Sequence, residues 1–195
     1  MKAQIYRFKI TYDEYEDIIN RTVDVSSNYL LSRLGYLVLA SFDTLAYHLF
    51  EMSYRDKRYE ITLEDDEFAE DALDPRDVTL KQMELEVGSV IRMDYDYGCD
   101  QRFTLELVDI LEMEKGTSTK YPMIVDGAGK GILDDVSPYE FGKIVNKIKK
   151  SGKSTHTYIA PSGEREPWDY REFDLNEANR TLKRDIADIE MGFEG

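Results

Sequence analysis

Two stretches of this 195-residue chain alternate apolar and polar residues with a period of two, and this pattern limits the fold more than any other feature. In residues 4–11 aromatic and aliphatic side chains alternate with Arg7 and Lys9, and the alternation returns in residues 19–25. Because successive side chains of a strand point to opposite faces of a sheet, the pattern is typical of half-buried strands. The polar turn between the two stretches predicts an antiparallel hairpin.

A second and longer hairpin is predicted from residues 90–113. Residues 90–96 and 102–113 are strand candidates on either side of the turn Tyr97-Gly98-Cys99-Asp100. Residues 46–53 and 57–63 predict two more strands, which are joined by a short turn. A chain built from hairpins of this kind forms a mostly antiparallel sheet.

Three segments have the periodicity of amphipathic helices. The first covers residues 27–42 and has its apolar residues on one face. The second begins with the capping box Ser137-Pro138-Tyr139-Glu140 and ends at Gly152. The third begins at Asp174. The predicted fold class is therefore α+β. We expect residues 1–195 to form a single domain with a mostly antiparallel sheet of roll or β-grasp-like type, a packed helix after the first hairpin and two C-terminal helices.

Three polar segments are predicted to be loops. Residues 64–77 carry eight carboxylates and one arginine, which is typical of a solvated acidic loop and lacks the D-x-D-x-D-G pattern of a calcium site. Residues 151–169 form a polar loop that contains Pro161, Gly163 and Pro167. The run Gly127-Ala128-Gly129-Lys130-Gly131 lacks the order of a phosphate-binding loop, and we interpret it as a flexible connection.

Composition excludes several classes of protein. The 40 acidic and 25 basic residues give a net charge of −15, so direct binding to nucleic acid is not expected. The single cysteine excludes an internal disulfide and a multi-cysteine zinc site. The start of the sequence lacks the apolar core of a signal peptide. The sequence contains no run of 18 apolar residues, so no membrane span is predicted. The expected location is the cytoplasm.

Residues 95–107 carry a motif that is found in a known family. The turn contains Tyr95-Asp96-Tyr97-Gly98 and Asp100, and a strand candidate follows it. This arrangement resembles the Y-D-F-G-D-x-W-x-H hairpin of the plasmid ORF-3-like family, which is named after an open reading frame on a root-inducing plasmid. Further segments resemble the other family motifs in the same order along the chain: Asn20-Arg21-Thr22-Val23, residues 30–42 with His48-Leu49-Phe50, Tyr121-Pro122 with Asp126-Gly127 and Asp134-Asp135, and Phe173-Asp174-Leu175 with Asn179 and Leu182.

This chain departs from the family pattern at several motif positions. Asn20 and Gln101 stand where the family has tryptophan, and Phe103 stands where it has histidine. The resemblance implies a fold rather than a reaction, because the family is uncharacterised and its members occur on plasmids and beside mobile elements.

The resemblance also implies a candidate ligand-binding surface. It consists of the motif residues that folding would have to bring together: Arg21, His48, Tyr95, Asp96, Asp100, Tyr121 and Asp135. Such a surface offers a guanidinium group, phenol hydroxyls and carboxylates, which suit a polar or peptide-like ligand. It offers no nucleophile–base pair, so binding without turnover is expected. An alternative is that Arg21 pairs with Asp96 or Asp100 and only fixes one hairpin against the other.

A second set of carboxylates suggests a metal site. Asp94 and Asp96 are two residues apart, so on a strand their side chains would share a face. Asp126 and Asp134 would complete an oxygen-rich site for Mg²⁺ or Mn²⁺. Asp100 and Asp135 are further candidate ligands. The alternative is that Asp96 and Asp100 only shape the turn.

Three functions follow from these observations. The first is a binding or accessory module, linked to plasmids or mobile elements, that has no cofactor and no catalytic activity and binds an unknown protein or a polar ligand. The second is a metal-dependent hydrolase or nuclease that uses the aspartates of the metal site. The third is an acidic regulator that imitates nucleic acid.

Overall fold

The computed structural model describes residues 3–61 and 72–195, so most of the predicted acidic loop, residues 64–71, lies outside the described part of the chain. Within the described residues, seven strands form one sheet in the order β4-β3-β5-β6-β1-β2-β7, and each neighbouring pair is antiparallel. The strands are β1 (Gln4–Tyr12), β2 (Asn20–Ser26), β3 (Phe50–Tyr54), β4 (Lys57–Glu60), β5 (Val90–Tyr95), β6 (Gln101–Glu112) and β7 (Met123–Ala128).

The part of the chain that the structure describes also contains three α-helices and a small hairpin. The helices are α1 (Leu31–Ser41), α2 (Pro138–Ser151) and α3 (Leu175–Glu194), and the hairpin pairs β8 (Thr157–Ile159) with β9 (Arg165–Pro167). Short 3-10 helices cover Pro75–Asp77, Leu80–Met83 and Ser118–Lys120. The prediction of an α+β fold with a mostly antiparallel sheet, a helix after the first hairpin and two C-terminal helices is confirmed. Among the described residues, no helix is both long and apolar enough to cross a membrane.

The alternating strands place the core on one face of the sheet. Phe8, Ile10 and Tyr12 of β1 are fully buried or nearly so, and so are the alternate residues of β6. The helices cover this face: Phe42 after α1 packs edge-on against Phe103, with ring centroids 4.9 Å apart. The outer face is charged, and Arg7 there donates two hydrogen bonds to Asp24 at 2.7 and 2.8 Å.

Three predicted segments differ in the structure. Strand β3 begins at Phe50 rather than at residue 46, because Asp43 and Ala46 adopt left-handed backbone conformations that no strand accommodates. Residues 127–128, the start of the glycine-rich run that was expected to be a flexible connection, belong to β7, which pairs with β2. The predicted polar loop 151–169 contains the β8–β9 hairpin.

The described end of the predicted acidic loop is ordered by specific contacts. The Leu73 amide donates to the Arg58 carbonyl at 2.9 Å, and the Glu60 amide donates to the Leu73 carbonyl at 3.1 Å. Asp74 then caps the helix Pro75–Asp77 and accepts hydrogen bonds from the Arg76 side chain. Residues 72–77 are therefore attached to the sheet edge rather than free in solvent.

The glycine-rich run at the end of β7 is packed against other segments rather than flexible. Gly129 has φ +74°, and a Cβ atom there would collide with the Ile18 carbonyl oxygen. The Lys130 amide donates to the Tyr170 carbonyl at 3.3 Å, and the Ile132 amide donates to the Phe42 carbonyl at 3.0 Å. These contacts fix the run between the first hairpin, the end of α1 and the segment before α3.

We expect Gly129→Ala to lower the free energy of unfolding by about 2–4 kcal/mol, because left-handed strain adds to the displacement of packed backbone. Gly163 is the matched control, because it has φ +83° and a Cβ there would meet nothing within 4 Å. Gly163→Ala should cost only about 1 kcal/mol. Urea denaturation of both variants measures the difference, and equal losses would contradict the packing argument.

Candidate functional site

Four of the seven residues predicted for the ligand surface come together at one end of the sheet. They are His48, Tyr95, Asp96 and Asp135, and Asp134 joins them. We call the group of His48, Asp96, Asp134 and Asp135 the histidine–aspartate cluster.

Strand pairing explains why these distant residues meet. Phe50 of β3 lies opposite Tyr95 of β5, so the loop before β3 runs beside the turn after β5. The Asp96 amide donates to the Leu49 carbonyl at 3.3 Å, which extends this pairing by one step. The connection from β7 to α2 brings Asp134 and Asp135 to the same place, where the Leu45 amide donates to Asp134 Oδ2 at 2.9 Å.

The imidazole of His48 lies between two carboxylates. His48 Nε2 is 3.1 Å from Asp135 Oδ1 and 3.5 Å from Asp96 Oδ2. Asp96 is only 4% exposed, and its Oδ2 atom has no hydrogen-bond partner among residues 3–61 and 72–195. A buried carboxylate oxygen without a donor is costly, which makes this turn a candidate site for a bound ligand.

The two other aspartates are held by hydroxyl groups. Tyr95 donates to Asp134 Oδ1 at 2.9 Å, and Tyr47 donates to Asp135 Oδ2. Burial raises the pKa of Asp134 above its ordinary value. The hydrogen bond from Tyr47, supported by His48, instead holds the pKa of the exposed Asp135 below its ordinary value. The cluster thus combines a carboxyl group that resists ionisation with one that ionises readily.

Cys99 lies in the same turn, where its surroundings disfavour the thiolate form. Burial, together with the nearby Asp96 carboxylate, raises the pKa of its thiol to about 11.

The structure does not bring the other candidates into the cluster. Asp100 pairs with Arg102 at 2.6 Å, and Asp94 lies 3.4 Å from the same guanidinium group on the outer face. The side chains of Asp94 and Asp96 do not share a face of the sheet. Strand β5 ends at Tyr95, and the backbone of Asp96 has a left-handed conformation with φ +50°. Tyr121 lies in the connection before β7. Asp126 is on β7, about 19 Å from β5 at the usual strand spacing.

Arg21 lies outside the histidine–aspartate cluster, and its contacts differ from those predicted. It is 2% exposed, and its guanidinium group donates to the carbonyl oxygens of Ser41, Asn20 and Ala128 at 2.8, 2.8 and 2.7 Å. The group also lies between the rings of Phe42 and Phe173, at 5.1 and 4.3 Å from their centroids. It pairs with neither Asp96 nor Asp100, and burial lowers its pKa to about 10.

Beside Arg21 a groove of about 1020 Å³ opens between the end of α1, α3 and the β8–β9 hairpin. Asp43 lies in its wall, and the carboxylate has no hydrogen-bond or ion-pair partner within the described ranges. Burial raises the pKa of Asp43 to about 6, although Arg21 and Lys130 act in the opposite direction. The sequence does not mark Asp43 as a site residue, because its only local signal is an aspartate after the apolar stripe of a helix.

The charges of the described groove lining are mostly negative. Lys130 pairs with Glu172 at 3.2 Å, and Arg184 pairs with Asp185 at 2.9 Å. The lining carboxylates outnumber the cationic groups; they belong to Asp43, Glu166, Glu172, Asp174, Glu177, Asp185 and Asp188, against Arg21, Lys130, Arg171 and Arg184. The groove therefore favours a positively charged group.

We expect Arg21→Lys to lower the free energy of unfolding by about 2–4 kcal/mol, because an ammonium group cannot donate to three separated carbonyls and stack between two rings. Arg102→Lys is the control, because Arg102 is exposed and its ion pairs lie on the outer face. It should cost less than about 1 kcal/mol. A urea denaturation series measures both, and similar losses would contradict the structural role of Arg21.

The raised pKa of Asp43 makes stability depend on pH. Its pKa is about 6 in the folded chain and 3.8 in an unfolded one, so the folded state binds more protons between these values. The stabilising contribution of the protonated group is complete below about pH 4 and is lost as the pH rises through 6. We expect Asp43→Asn to match the original chain at pH 4 and to be about 1–2 kcal/mol more stable at pH 7, allowing for partial solvent access. Thermal unfolding from pH 4 to pH 7 tests this, and a constant difference would contradict it.

Comparison with known proteins supports the resemblance seen in the motifs. The solved structure of a protein of unknown function from Methanosarcina mazei Go1 is similar over 91% of this chain and 97% of that chain, with a TM-score of 0.72 and 16% sequence identity. At that identity the similarity concerns the fold alone. No curated protein sequence matches the chain. The family model of the plasmid pRiA4b ORF-3-like protein matches residues 4–177. The chain belongs to the plasmid pRiA4b ORF-3-like family.

Proposed function

We propose that this protein is a binding module without catalytic activity of its own, and that its ligand carries an amine or guanidinium group that enters the groove. The observation that supports this most directly is the unpaired Asp43 carboxylate in the groove wall. A cationic group placed there would gain a charge-assisted hydrogen bond that no described side chain provides.

The neighbouring cations leave this position free for a ligand. The guanidinium group of Arg21 is occupied by three carbonyl oxygens, and Lys130 is directed to Glu172. Each lowers the pKa of Asp43 from a distance, yet neither forms an ion pair with it. The remaining lining carboxylates add a negative field that attracts positive ligands.

The size and walls of the groove suit a compact organic ligand or a short peptide segment. Its volume of about 1020 Å³ lies at the upper end of the range for small-molecule sites. Tyr158 and Phe173 line it and offer flat apolar surfaces next to the charged groups. Such a combination fixes orientation through a few polar contacts and gains affinity from apolar burial.

We further propose that the chain works as one domain, since α1, α2 and α3 contribute to one apolar core with the sheet. We expect a cytoplasmic location and a role linked to plasmids or mobile elements, as the family suggests.

A small cationic probe tests this proposal. Titration of the isotope-labelled protein with L-arginine amide should shift backbone NMR signals around Asp43, Lys130 and Tyr158 in a saturable way. Asp43→Asn should weaken binding about tenfold, because it removes the charge at the proposed contact.

Asp100→Asn is the matched control. Asp43 and Asp100 have φ of +55° and +60°, so asparagine is tolerated at both, and either substitution removes one negative charge. Binding to Asp100→Asn should equal binding to the original chain. Equal weakening by both variants, or unsaturable shifts across the surface, would mean that the probe detects only net charge and would overturn the proposal.

A further inference from the structure

We propose that His48, Asp96 and Asp135 form a binding site for a divalent transition metal, with Zn²⁺ as the ion that fits best. The proposal does not depend on the function assigned to the groove. It also differs from the metal site expected from sequence, since His48 and Asp135 take the place of Asp94, Asp126 and Asp134.

The spacing of the ligand atoms suits a small ion. One nitrogen and two carboxylate oxygens all lie within 4.8 Å of one another. His48 Nε2 lies 3.1 Å from Asp135 Oδ1 and 3.5 Å from Asp96 Oδ2. Zinc bonds of about 2.0–2.2 Å in a tetrahedron place neighbouring ligands about 3.3–3.6 Å apart. Small side-chain movements would therefore complete the coordination.

An independent observation points to a ligand at this place. Asp96 Oδ2 is buried and has no donor in the described part of the chain, and it faces His48 Nε2. The turn holds it there, because the amides of Cys99 and Asp100 both donate to the Asp96 carbonyl at 2.9 Å. A fixed carboxylate oxygen without a hydrogen-bond donor is a preorganised metal ligand, and a bound cation would satisfy it.

The surroundings of the three residues match those of a metal centre. Tyr47 donates to the second oxygen of Asp135, and Tyr95 fixes the adjacent Asp134. The His48 ring packs against both tyrosines, with centroids 4.3 and 5.8 Å away. Outer contacts of this kind orient metal ligands. The His48 and Asp135 side chains remain 28% and 66% exposed, so water can reach a further coordination position.

The donor set determines the choice of ion. Mg²⁺ and Ca²⁺ prefer oxygen ligands alone, whereas imidazole with carboxylates suits zinc and neighbouring transition metals. The competing explanation is that protonated His48 bridges the two carboxylates as an ordinary ion pair. That explanation requires no metal and predicts that removing a carboxylate weakens the fold.

Calorimetric titration of the tag-free protein with Zn²⁺ tests the site. We expect about one ion per chain and a higher melting temperature with zinc. Asp96→Asn should weaken zinc binding at least about 10-fold, because it removes a ligand charge. Asp100→Asn lies in the same turn, with the same substitution at φ +60°, and should bind like the original chain. Replacement of zinc by Co²⁺ should produce the visible absorption of a tetrahedral site.

Stability without metal separates the two explanations. Asp96→Asn should be at least as stable as the original chain in a chelator, because it removes a buried charge. A loss of stability in chelator together with unchanged zinc binding would establish the ion pair and overturn the metal site, as would the absence of zinc binding by the original chain. Should Asp96→Asn fail to fold, His48→Gln at the half-exposed side chain provides the same test of zinc affinity.

The two proposals can fail separately. Asp96→Asn should bind L-arginine amide normally, and Asp43→Asn should bind zinc normally. A result in which only one of these ligands binds would overturn one proposal and leave the other supported.

Discussion

The buried guanidinium group of Arg21 is the interaction on which the arrangement of the chain depends most. It lies on β2 and donates to the end of α1 at Ser41 and to the end of β7 at Ala128. Phe173, which precedes α3, covers it. One side chain thus joins the sheet to the helix that crosses it and to the segment that leads into the last helix. Loss of this group would leave several carbonyl oxygens buried without donors, which is costly at each position.

The loop that follows α1 begins at this anchor and serves both proposed sites. Asp43 lies at the start of the loop, in the groove wall, and His48 lies at its far end, in the histidine–aspartate cluster. Residues 129–135 hold the loop along its length through the Ile132 amide and the Asp134 carboxylate. The same two segments therefore position the residues of both proposed sites.

Sequence periodicity predicted the hairpins and helices because it reports which face of each element is buried. It failed for β7, where an edge strand next to glycines has no alternation of apolar and polar residues. It failed again at residues 46–49, because left-handed conformations are decided by tertiary contacts rather than by composition. The resemblance to the family brought out His48, Tyr95, Asp96 and Asp135. The groove is formed by packing between segments that are distant in sequence, so no local pattern indicates that Asp43 lies in a site.

The turn aspartates show how a structural requirement and a chemical one can be separated. Asp96, Asp100 and Asp135 all have left-handed backbones, with φ between +50° and +60°. Asparagine adopts this conformation as readily as aspartate, so the turn alone does not require a carboxylate. At Asp100 the charge is exposed and paired with Arg102, and its cost is small. At Asp96 the charge is buried beside another carboxylate, where an amide would be less costly. The conformation accounts for Asp100, whereas at Asp96 the proposed metal ion would offset the buried charge.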